Sequence, residues 1–125
     1  MLVTRLQFDT ALEEMRLARN DCLEVTRWIV APCARGTDVG ATLVVGAWAV
    51  GRSLRKELLI ATVGTRDGQA RMLSRFGGQT MNSVDAKFIG EYDDELVTMY
   101  FELKHPPQRV AARLSEVERL LNLCR

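Results

Sequence analysis

Residues 40–51, GATLVVGAWAVG, carry no charged side chain and are apolar whichever periodicity is laid over them. A segment of this kind has to be covered on two sides. It is about half the roughly 20 residues that a membrane-crossing helix needs, so it reads as protein core. Gly40, Gly46 and Gly51, with Val44, Val45 and Val50, favour a strand buried on both faces over a buried helix. Residues 51–53 would turn the chain back and residues 58–63 would form the next strand, so residues 41–63 are expected to be a hairpin. Helices or a second copy of the chain must then cover it. Trp28, Trp48, Val44 and Val50, together with an exposed sheet edge, are the candidate interface.

The flanking segments have clearer periods. Phe8, Ala11, Leu12, Met15, Ala18 and Cys22 share one helical face, and Thr10 with Glu13 resembles a capping box, which predicts a helix over about residues 10–21. Residues 22–31 are rich in β-branched and aromatic side chains up to Pro32, which ends the strand. Ala70, Leu73 and Phe76 fit a short helix closed by Gly77. Residues 80–89 alternate, as do Val97, Met99, Phe101 and Leu103, around a polar turn at residues 90–94. Pro106 and Pro107 open a last helix with Val110, Leu114, Val117 and Leu121 on its apolar stripe. The expected fold is a single α+β domain over residues 1–125. Its order is α-β-β-β-α-β-β-α, with a mostly antiparallel five-stranded sheet and three helices in two layers.

Charge excludes several functions. The chain has 17 basic and 16 acidic residues, spread evenly over both halves. Bulk attraction to nucleic acid or an anionic membrane has little to rest on. Cys22, Cys33 and Cys124 are odd in number and form no C-x-x-C pair, so free thiols in the cytoplasm are expected rather than a disulfide framework. Residues 1–10 lack the continuous apolar core of a signal peptide.

Reactive constellations are sparse. One histidine and three scattered cysteines match no metal-site spacing, and no metal or cofactor is expected. Cys33, beside Arg35, is the cysteine best placed to be a nucleophile, with His105 as a conceivable base. Residues 36–42 have the glycines of a phosphate loop, but Ala41 stands where its lysine belongs, which excludes nucleotide hydrolysis there. Glu91, Asp93, Asp94 and Glu95 do not have the spacing of a calcium loop and fit a solvated turn. Arg52, Arg55, Lys56, Arg66, Arg71 and Arg75 form a loose basic set without interleaved aromatics.

Residues 57–121 follow a strand, the turn Thr65-Arg66-Asp67-Gly68, a helix with Leu73 and Phe76, Gly77-Gly78, two strands and a helix. That order resembles an ACT-type regulatory domain. The resemblance implies a small metabolite, an amino acid in that family, bound near Thr65, Asp67 and Gly68 at a dimer interface. The first 56 residues have no counterpart in it. The leading functional expectation is a non-catalytic, self-associating binding or assembly module with an unidentified protein partner. A metabolite sensor of ACT-like type and a thiol enzyme using Cys33 are the alternatives.

Overall fold

A computed structural model describes residues 2–25, 39–66, 68–91 and 93–123. Trp28, Cys33, Asp67, Cys124 and the glycine loop up to residue 38 lie outside the described residues. Helix α1 spans Leu2–Glu14, earlier than its sequence signals imply. Thr10 is not its cap: it sits in mid-helix, where its hydroxyl donates to the Leu6 carbonyl at 2.9 Å. The chain then makes a 3₁₀ turn at Arg19–Asp21 and enters β1, Cys22–Val25.

Residues 41–50 are helix, not strand. They belong to α2, Val39–Ser53, followed by β2, Leu58–Gly64. Length decides this physically, because an unbroken apolar run of this extent exceeds a typical buried strand and matches a core helix. Topology requires it as well. Strand β1 pairs with β2 in parallel, from Cys22↔Leu58 to Val25↔Ala61, and parallel neighbours need a crossover rather than a tight turn.

After α3, Gln69–Arg75, come β3, Gln79–Thr80, β4, Lys87–Ile89, β5, Asp94–Glu102, and α4, Gln108–Leu123. Gly77 closes α3 at a φ of +93°, a left-handed conformation that glycine adopts without strain. Strand β5 pairs antiparallel with β2 from Leu58↔Glu102 to Gly64↔Leu96, and β3 and β4 share its other edge. The strand expected over residues 80–89 is therefore interrupted. Between its two halves the chain leaves the ladder and buries Met81 and Val84. The sheet is mixed, with β1–β2 its parallel pair, and the described residues hold four α-helices rather than three.

Alternation along β2 divides the interior in two. Leu59, Ala61 and Val63 face α2, α3 and α4, whereas Leu58 and Ile60 face α1, so helices lie on both sides of the sheet in three layers, not two. The first core centres on Trp48, whose ring meets Phe101 edge-on at 5.4 Å and whose Nε1–H donates to the Leu103 carbonyl at 3.3 Å. The second gathers Ala11, Leu12, Leu58, Ile60, Met81 and Val84. Gln7 clasps α1 to the 81–86 excursion, donating to the Asp85 carboxylate at 2.9 Å and accepting from the Asp85 N–H at 3.0 Å. None of the described helices is long and apolar enough to cross a membrane.

Candidate functional site

Two surfaces stand out, one on each side of the sheet. The first is the outer face of α2. Its inner face, Val44, Val45, Trp48 and Ala49, is fully buried. On the opposite side Val39 and Leu43 are 44% and 43% exposed, Val50 is 40% exposed, and Leu54 in the following turn is 54% exposed. Spacings of four, three, four and four residues through Gly46 keep these positions within an arc of roughly 80° and along about 22 Å of helix. No charged residue falls in that arc. A Cβ added at Gly46 would meet nothing within 4 Å, so the middle of the strip is a shallow notch.

The second surface is a cleft where α1 leaves the other face of the sheet uncovered. It encloses about 390 Å³ and is lined by Arg5 and Phe8 of α1, Arg19, Cys22 and Glu24, and by Ile60, Thr62, Val84 and Thr98. Thr62 and Thr98 are register partners on β2 and β5, so their side chains share this face. Beneath the helices on the opposite face the comparable void, among Val25, Val44, Ala47, Leu59, Ala61, Leu73 and Phe101, is about 10 Å³, too small for any ligand.

Electrostatics in the cleft are nearly balanced. Arg19 grips Asp9 through two nitrogens at 2.7 and 2.9 Å. That hydrogen-bonded pairing, with the positive charges of Arg19 and Arg5, holds the Asp9 carboxyl below its ordinary range. Arg5 and Glu24 are exposed and make no ion pair with another described residue. Burial pushes the Cys22 thiol up, and the Asp21 charge adds to this against the smaller opposing influence of Lys56. The thiol therefore stays protonated near neutral pH, with its sulfur 3.8 Å from the Ala18 carbonyl, which suits a packed side chain better than a nucleophile.

The residues singled out from the sequence scatter. Trp48 and Val44 lie in the core, while Val50 lies on the exposed strip. Gly68 precedes α3 with a φ of +79°. Thr65 sits at the end of β2, where its N–H and that of Arg66 donate to the Asp94 carboxylate at 3.2 and 3.0 Å. Arg66 also pairs with Asp93 at 3.1 Å. The acidic turn is thus a latch onto the β2–α3 connection. Members of the basic set go separate ways: Arg52 to Glu118 at 3.5 Å, Lys56 to the Asn20 carbonyl at 2.6 Å. His105 is exposed in the β5–α4 loop. Among the described residues no cluster of three His, Cys, Asp or Glu side chains is placed to hold a metal.

Sequence reasoning missed Arg5, Arg19, Glu24, Thr62 and Thr98, because only strand pairing and the packing of α1 on the sheet unite them. It also missed Val39, Leu43 and Leu54, whose shared face exists only once residues 39–53 are helical. The chain matches no protein-family model, no curated protein and no solved structure with which it was compared.

Proposed function

We propose that this chain is a non-catalytic assembly module of the cytoplasm that pairs with a second copy of itself through the outer face of α2. The observation that carries this reading is that α2 is apolar on two opposite faces while the described residues cover one of them. A helix apolar all round is at home buried on every side. The strip bears no charge that would select a partner of opposite sign, and a two-fold axis crossing it beside Gly46 would set Leu43 against Val50 and Val39 against Leu54 of the other copy. The notch at Gly46 permits the close interaxial approach, about 8 Å, that small side chains allow.

The energetics favour a pair of modest strength. Covering the exposed half of a valine or leucine is worth about 1 kcal/mol. Four residues from each copy together give about 8 kcal/mol, and even the low end of the cost of association, about 4 kcal/mol, takes half of it, so the expected dissociation constant is about millimolar.

Sedimentation of the whole chain over about 0.05–5 mM tests this. The mean mass is expected to rise from one chain towards two across that range. The double variant Leu43→Glu/Val50→Glu is expected to stay at one chain with its thermal unfolding unchanged. A wild-type chain that stays single throughout, or a charged variant that pairs equally well, would rule the reading out.

A further inference from the structure

The cleft on the α1 side of the sheet is independent of any pairing through α2, and its lining is specific enough to name a ligand class. Its floor is apolar, built from Ile60 and Val84, which are buried, with Phe8 half-buried in the wall. Its hydroxyls come from the facing pair Thr62 and Thr98, whose side chains make no hydrogen bond to another described residue. Its charges are of both signs. Arg19 is held by Asp9, which also feels the charge of Arg5, while Arg5 on the α1 wall and Glu24 on the β1 wall make no hydrogen bond or ion pair with another described residue.

A simple anion would meet Glu24 and a simple cation would meet Arg5, so either gains one partner and one repulsion. A fully apolar molecule would strand the two charges and both hydroxyls. The arrangement favours a ligand that is neutral overall and carries separated charges on an apolar body. At about 390 Å³ the cleft lies at the small end of the roughly 300–1,000 Å³ typical of small-molecule sites.

We infer that this cleft binds a small zwitterion of the free amino-acid type, its carboxylate on Arg5, its ammonium on Glu24 and its apolar side chain against Phe8, Ile60 and Val84. This site lies apart from the turn at Thr65 and Gly68. Arg19, oriented by Asp9, stands beside the carboxylate as a positioning residue.

The test is a titration of the whole chain with L-leucine, L-methionine and L-phenylalanine up to about 10 mM, followed by backbone amide NMR. At least one is expected to shift the amides of residues 19–24, 60–62 and 98 together. N-acetyl-leucine, which lacks the ammonium, and leucine amide, which lacks the carboxylate, are each expected to bind about tenfold or more weakly. Arg5→Gln should weaken leucine without further weakening leucine amide. Glu24→Gln should weaken leucine without further weakening N-acetyl-leucine. Both side chains are exposed and make no ion pair with another described residue, so each variant should change stability by no more than about 0.5 kcal/mol. The inference is overturned if no amino acid moves those amides, or if the blocked analogues bind as well as the free ones. A leucine affinity unchanged in both variants would overturn it too.

Discussion

Helices α2 and α4 pack against the same face of the sheet and touch one another, yet charged side chains run along the outward face of α4 and are missing from that of α2. Helix α4 buries Val110 and Leu114 and shows Ser115, Glu116 and Arg119 outward, with exposed leucines, Leu120 and Leu123, confined to its last turn. Helix α2 buries Trp48 and its neighbours and then shows Val39, Leu43 and Val50 as well. Both helices do the same work for the fold. On the pairing proposed above, the difference separates residues needed to fold one chain from residues that meet a second copy.

Substitutions on the two sides of α2 should expose that separation most sharply. Trp48→Ala removes a fully buried ring together with its contact to Phe101, and is expected to cost about 3–5 kcal/mol in chemical denaturation, whereas Leu43→Ala should leave protomer stability within about 0.5 kcal/mol. Equal losses at the two positions would mean that the outer face is already covered within one chain.

Gly46→Ala sets the two roles against each other. Within the protomer the new methyl enters open space, and alanine is the better helix former, so stability should rise by about 0.5–1 kcal/mol. At a helix crossing the same methyl fills the notch, so pairing measured by sedimentation should weaken. A variant that gains stability and keeps its pairing would move the contact away from Gly46.

The smallest effect is expected where the two helices meet at the surface. Glu118→Gln removes the ion pair to Arg52, an exposed contact at 3.5 Å, and should change stability by about 0.5 kcal/mol or less. A larger loss would show that the α2–α4 contact depends on charge rather than on the apolar packing beneath it.

The same contrast explains what could be seen in the sequence. The α4 stripe and the alternation of Val97, Met99 and Phe101 were legible because one apolar face against one polar face leaves a period. Strand β2 and the turn into α3 were legible from local chemistry, as was the left-handed position at Gly77. The α2 segment has no polar face, so its period vanished and its valines and glycines imitated a strand; run length was the signal that separates the two. Residues 80–89 misled for another reason. Met81 and Val84 serve the α1 core from outside the ladder, and nothing local announces that departure. The cleft was illegible throughout, because Arg5, Glu24, Thr62 and Thr98 come from three separate elements of the sheet and α1, and a register between distant strands brings them to one surface.

The Asp94 latch has a consequence for any anion that would settle at the β2–α3 connection. The amide groups of Thr65 and Arg66 already hold a tenant, supplied by the same chain and so present at an effective concentration of about millimolar or more. A visitor must evict that carboxylate before it can bind. A Cβ at Gly64 would also meet the same side chain, so enlarging position 64 would push that carboxylate out of its present seat.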